Sequence, residues 1–255
     1  MKIYEIIFSP TGGTKKVADI ISAGVGADSI CIDLTDKDFD FASVAFGEED
    51  VCIAALPSYG GRIPHIAGER LKQMKGNRAR VISVTVYGNR AYDDTMLELQ
   101  DVLSEAGFCP VAAIAAVAEH SIMHQFAAGR PDAEDRKELT GFADRIRRGI
   151  QAGNLRNVPV VPGNRPYRTY GGVPMKPRSG RSCTKCGVCA AKCPVGAIPA
   201  DMPMSTDHDR CITCMRCIKV CPQKNRSVSK VLVAAGAQKL KKACKDRKKN
   251  ELFWG

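Results

Sequence analysis

Eight cysteines near the end of the chain stand in two copies of one spacing, Cys-x-x-Cys-x-x-Cys-x-x-x-Cys-Pro, whose starting points lie 28 residues apart. The first copy is Cys183, Cys186, Cys189, Cys193 and Pro194; the second is Cys211, Cys214, Cys217, Cys221 and Pro222. Thiolates are soft anionic ligands. Three at this interval wrap one iron–sulfur cubane, and the fourth reaches across to a second. One cluster is therefore expected on Cys183, Cys186, Cys189 and Cys221, and the other on Cys211, Cys214, Cys217 and Cys193. Competing chemistries fit less well. Zinc closes its shell with four ligands, often two Cys-x-x-Cys pairs, which leaves the third short interval and the Cys-Pro ending superfluous. Disulfides need an oxidising compartment. Met1-Lys2-Ile3-Tyr4-Glu5 lacks the basic, apolar and small-residue regions of a secretory signal, so a cytoplasmic location is expected.

A second group of residues is suited to phosphate. Ser9-Pro10-Thr11-Gly12-Gly13-Thr14 follows an apolar run and precedes Val17, Ile20 and Ile21 at helical spacing. A strand–loop–helix unit of this kind presents backbone N–H groups and hydroxyls at the positive end of a helix dipole, and glycines let the backbone close on the anion. The loop has neither a Gly-Lys-Ser/Thr ending nor a Gly-x-Gly-x-x-Gly run, which excludes a nucleoside triphosphate loop and a dinucleotide fingerprint. A monophosphate ester fits, and direct use of a nicotinamide cofactor is not expected.

Residues from about Arg181 to Ser229 resemble the bacterial two-cluster 4Fe–4S ferredoxins at every ligand position. Ser9-x-Thr11-Gly12-x-Thr14 resembles the phosphate loop of flavodoxins, the small FMN electron carriers, and that resemblance covers about residues 1–150. It implies an FMN whose phosphate lies on Ser9, Thr11, Gly12, Gly13 and Thr14. It further implies that Pro57, Ser58, Tyr59, Gly60 and Gly61 hold one edge and face of the isoalloxazine, while Tyr87, Gly88, Asn89, Arg90 and Tyr92 belong to the loop over the other face. Tyr59 and Tyr92 are the stacking candidates; Arg62 and Arg90 are candidates to offset charge at the ring edge. The whole chain resembles the flavodoxin–ferredoxin fusion proteins of anaerobic bacteria and archaea. The fusion implies an electron-transfer protein that passes single electrons between FMN and two 4Fe–4S clusters. The alternative is a flavin-dependent reductase of a small substrate, fed by the clusters, so whether the chain is an enzyme stays open.

The elements that must position these residues follow from apolar patterning. Strands are predicted over Lys2–Phe8, Ser29–Leu34, Val51–Leu56, Arg80–Val86 and Pro110–Val117, with helices near residues 64–75, 92–106 and 133–150. The alternation predicts an α/β, flavodoxin-like, doubly wound five-stranded parallel sheet, followed by a small α+β two-cluster domain. Ligands of such sheets bind beyond the carboxyl ends of the strands. The expected organisation is an FMN domain at 1–150, a Pro/Gly-rich linker at 151–180, the cluster domain at 181–235 and a basic, solvated C-terminal tail at 236–255. Cys31, Cys52 and Cys109 read as core side chains and Cys244 as solvent-facing. His120, Ser121 and His124, after the fifth strand, read as an ordinary loop.

Charge is unevenly divided. Residues 1–150 carry 17 Lys and Arg against 22 Asp and Glu, whereas residues 151–255 carry 21 against 5. The basic half should attract an acidic redox protein. It lacks the aromatic interleaving or recognition motif of a dedicated nucleic-acid reader, and no run of eighteen apolar residues suggests a membrane span.

Overall fold

The computed structural model describes residues 1–255 apart from Ala27 and Arg156. β1 (Ile3–Ile7), β3 (Val51–Pro57), β4 (Arg80–Tyr87) and β5 (Cys109–Val117) are buried along almost their whole length. Near-continuous apolar runs such as Val51–Leu56 are what a strand covered on both faces requires. β2 (Ser29–Asp33) lies at the sheet edge and buries only Ile32. Cys31 is therefore exposed, a correction to its expected core position: an edge strand has fewer neighbours to cover it. Cys52 is buried and Cys109 half-buried. β1 to β5 are parallel, in the order β2-β1-β3-β4-β5, the flavodoxin-like winding of a doubly wound sheet. α1 (Gly13–Val25) and α4 (Ala133–Gln151) cover one face through Val17, Ile21, Leu139 and Ile146. α2 (His65–Gln73) and α3 (Thr95–Glu105) cover the other through Leu71, Leu99 and Leu103.

The C-terminal end departs from expectation. Residues 236–255 are not a solvated tail: α7 (Lys230–Leu240) runs into that segment, and β8 (Glu251–Trp254) joins the sheet antiparallel to β5, pairing Ala112 with Trp254 and Ala115 with Glu251. A sixth strand thus covers an edge that β5 would otherwise leave open to other chains. Asn250, 4% exposed, fastens it; its Oδ1 accepts from the Val117 N–H at 2.9 Å, and its Nδ2 donates to Asp135 at 3.0 Å. Cys244 is buried rather than solvent-facing, because its carbonyl accepts from Asn89 Nδ2 and holds that stretch against the β4 loop.

The cysteine-rich region has little regular structure. β6 (Arg178–Ser179) and β7 (Arg226–Ser227) form an antiparallel pair, and α5 (Val188–Ala191) and α6 (Arg216–Lys219) are single turns. The segment leading into it is laid on the N-terminal domain. Asp94 accepts from the N–H groups of Asn164 and Arg168, and Gln100 donates to Pro159 O. Buried Arg70 donates to Leu34 O at 2.6 Å and to Pro194 O at 2.8 Å, and so ties β2 to the first Cys-Pro turn.

Candidate functional site

Two recesses of about 340 and 330 Å3 open among the cysteine runs. Cys183, Cys186, Cys189 and Cys221 line the first; Cys193, Cys211, Cys214 and Cys217 line the second. Each run thus sends its fourth cysteine to the other run's three. Left-handed backbone at Lys185, Gly187, Thr213 and Met215 curls the chain around the recesses. Beyond each Cys-Pro turn the chain folds back on the sulfur: the Ala197 N–H donates to Cys193 Sγ and the Asn225 N–H to Cys221 Sγ, both at 3.3 Å. Among the described residues no three His, Cys, Asp or Glu groups converge on one metal ion; the sulfurs ring a void instead, which suits a cluster better than zinc.

The donors around these voids also fit anionic clusters. Arg226 is 3% exposed and donates to Thr206 Oγ1, Pro203 O and Ser205 O; among the described residues it has no carboxylate partner and its Nε no hydrogen bond. Arg216 Nε and Asn225 Nδ2 are likewise buried without partners. Burying donors and a cation in this way is costly unless they meet negative charge. Burial pushes the Cys214 thiol up to about 12 and the Cys217 thiol up to about 11, with Arg226 acting against the rise at Cys217. The Ser179 hydroxyl and the Lys185 N–H hold Cys183 below its ordinary value.

A third recess, about 480 Å3, lies at the carboxyl ends of β1, β3, β4 and β5. Thr11, Gly13, Thr14, Pro57, Ser58, Tyr59, Tyr87 and Gly88 line it, together with Glu119, His120 and Ser121. Gly12, at φ 97°, turns the chain into α1, whose first turn has neither a side-chain cap nor an acidic residue. Ser9 Oγ accepts from the Lys15 N–H at 2.9 Å, and Gly13 and Thr14, in the first turn of α1, line the recess. The loop after β5 was read as ordinary, yet it forms a wall of the recess. His120 and Ser121 follow the fifth strand and so fall near the expected flavin loops from topology alone, whereas nothing in the spacing marks Glu119. His120 packs on Gly88, where any Cβ would strike its ring. His120 Nδ1 accepts from Ile122 N and Met123 N, and burial pushes the imidazole down to about 4, so the neutral ring carries its proton on Nε2. A wider opening of about 1720 Å3 adjoins it, between Gly12, Lys16 and Glu119 on one side and Met215, Lys219 and Lys230 on the other.

Residues 182–225 match the family model of the 4Fe-4S dicluster domain. This segment is a 4Fe–4S dicluster domain. A comparison with curated protein sequences finds no match. Among solved structures, a flavodoxin from Streptococcus pneumoniae TIGR4 is similar at 21% identity over 56% of this chain and 95% of its own, with a TM-score of 0.40. A flavodoxin from the Archaea is similar at 14% identity over 59% of this chain and 99% of its own, with a TM-score of 0.43. The two-electron reduced flavodoxin of Megasphaera elsdenii is similar at 20% identity over 56% and 98%, with a TM-score of 0.35. The strand order carries the fold assignment by itself.

Tyr59 is half-buried and packs on the core of the sheet, and burial above all raises its phenol well above the usual range. Of the other loop, Tyr87 and Gly88 line the recess, while Asn89, Arg90 and Tyr92 make contacts elsewhere. Tyr92 meets Tyr87 edge-on at 5.2 Å and donates to Glu251 of β8 at 2.8 Å, so it serves the added strand. Asn89 donates to Cys244 O and Asp246 O, and Arg90 pairs with Asp93. Gly60 and Gly61 lie under Tyr170 and Arg168 of the connector. Arg62 is engaged by Glu98 at 2.7 Å and lies over the Tyr167 ring. The connector and the C-terminal strap both pack on these two loops.

Proposed function

We propose that the chain is a single-electron relay between FMN, held at the carboxyl end of the sheet, and two 4Fe–4S clusters in the dicluster domain. The observation that carries it is that Tyr59, a wall of the phosphate-loop recess, and Ile212, a wall of a cluster recess, pack on the same core of the sheet. Cys183, Cys186, Cys189 and Cys221 would hold one cluster and Cys193, Cys211, Cys214 and Cys217 the other. When bound, the flavin exchanges two electrons in single steps and each cubane one.

The chain's own residues supply the environment. Gly13 and Thr14 N–H groups with the Thr11 and Thr14 hydroxyls receive the phosphate, Lys16 adds charge nearby, and Ser9 stiffens the loop. His120, with Nε2–H toward the recess, offers a neutral hydrogen-bond donor that stays uncharged at pH 7. The opening of about 1720 Å3 beside Lys16, Lys219 and Lys230 supports the second reading, a small acceptor reduced at the flavin. Anaerobic purification followed by iron, sulfide and flavin analysis tests the relay; eight iron, eight sulfide and one FMN per chain are expected. FAD or no flavin would refute it. Turnover of a small acceptor without any partner protein would favour the second reading.

A further inference from the structure

The two cluster recesses face opposite surroundings. The one ringed by Cys193, Cys211, Cys214 and Cys217 is turned inward. Arg70 reaches from α2 to Pro194 O at its Cys-Pro turn, Arg216 lies 3.7 Å from Asp33, and Ile212 packs on the core beneath the sheet. The other is turned outward. Cys186 is exposed, Cys183 is half-buried, and Pro222 and Gln223 on its rim are exposed.

That rim is cationic. Arg181, Lys185 and Lys224 are exposed, each within two residues of a group lining the recess. Among the described residues none of the three takes part in an ion pair. By the same criterion Asp201, exposed and two residues from Pro203 of the lining, is the single acidic residue on this rim among the described residues. The chain offers it no stacking platform: no Phe, Tyr or Trp occurs from 171 to 251. A face that binds single-stranded nucleic acid combines basic residues with aromatic rings. This face has only the charge.

We propose that the rim around Cys183 and Cys186 is the docking surface of an acidic one-electron carrier protein, with the outer cluster as the first acceptor and the inner cluster as the link to the sheet. The proposal rests on the reading that both recesses hold clusters. The step balances simply: the partner's reduced centre loses one electron, the outer cluster gains it, and no bond or proton moves. Unpaired exposed charges suit such a role because they speed encounter and leave the product complex weak enough to part.

The test compares the full-length protein with R181E/K185E/K224E, both purified anaerobically and assayed for iron, sulfide and thermal midpoint. Cluster bleaching is followed by stopped flow with two reductants: a reduced acidic 8Fe ferredoxin, and photoreduced 5-deazariboflavin, which is small and uncharged. With the ferredoxin, the second-order rate constant should fall at least tenfold in the variant at low salt, and the two proteins should converge as salt rises. With deazariboflavin the rates should match. The same result is expected in FMN-stripped protein, which separates the port from the flavin relay. An unchanged ferredoxin rate with full iron content overturns the port. So does a tenfold loss produced instead by charge reversal at Lys239, Lys241 and Lys242. So does retention of the ferredoxin rate while the variant loses binding of a labelled single-stranded oligonucleotide, which would assign the rim to nucleic acid. Absence of iron and sulfide from the wild type overturns the cluster assignment itself, and the port with it.

Discussion

Arg226 shows how a single side chain can report a missing charge. Its guanidinium is buried on Thr206 Oγ1, Pro203 O and Ser205 O, it acts on both Cys183 and Cys217, and among the described residues its Nε has no hydrogen-bond partner. Coulomb's law gives about 2 kcal/mol between unit charges about 8 Å apart at an effective dielectric of about 20, roughly 90 mV for one electron. A fixed cation favours the reduced, more negative cluster. Arg226→Gln should therefore lower the potential of one or both clusters by roughly that amount, as an anaerobic redox titration followed by EPR would show; an upward shift would mean the charge acts elsewhere. At the other site, Thr14→Ala removes a hydroxyl donor to a charged acceptor, worth about 1.5–3 kcal/mol. FMN affinity should fall by roughly ten- to a hundredfold in a fluorescence titration, and an unaltered affinity would place the phosphate elsewhere.

Among the elements, β8 has the clearest energetic role. Asn250→Ala would leave the Val117 N–H and one Asp135 bond unmet, at a cost of about 2–3 kcal/mol. For a chain of this size the thermal midpoint should drop by roughly 5–10 °C. If it stays put, the strand does not contribute to global stability. The same strap is pH-sensitive. Although burial opposes it, hydrogen bonds from Arg130, the Asp132 N–H and Asn250 hold the Asp135 carboxyl below its ordinary value, and Arg247 holds Asp132 well below. A depressed folded pKa stabilises fully above the unfolded value, about 4, and the contribution is lost as pH falls further. Amide exchange in β8 and the end of β5 should therefore rise below about pH 4 before the rest of the sheet opens. Uniform loss of protection would contradict a local strap.

On the scale of the whole molecule, the crossed cysteine sets make the two halves of the dicluster domain interdependent. Cys193→Ala should damage the cluster of Cys211, Cys214 and Cys217 and spare the other, a difference that EPR and iron counts can resolve; loss confined to the Cys183 set would overturn the assignment. The connector and the C-terminal strap both bind back onto the sheet, at Asp94 and at Asn89. Electron exchange between flavin and inner cluster should then be intramolecular, with a rate independent of protein concentration. A second-order dependence in stopped flow would show instead two tethered carriers.

The cysteine spacing by itself was enough to name the cluster chemistry and the crossed sets, because ligand geometry demands short fixed intervals that survive as a pattern in one dimension. The five parallel strands and the phosphate loop were legible for a similar reason: apolar runs and a glycine turn are local. Only the tertiary structure decided the rest. β8 is four residues beside a lysine-rich stretch, and its strand character comes from the open edge of β5 rather than from its own propensity. Tyr92 and Asn89 stand in the loop expected over a flavin, yet the returning C-terminus takes their hydrogen bonds. Which recess faces inward is likewise unwritten in two identical motifs; Arg70 reaching Pro194, 124 positions away, and Ile212 packing on the core of the sheet set that difference.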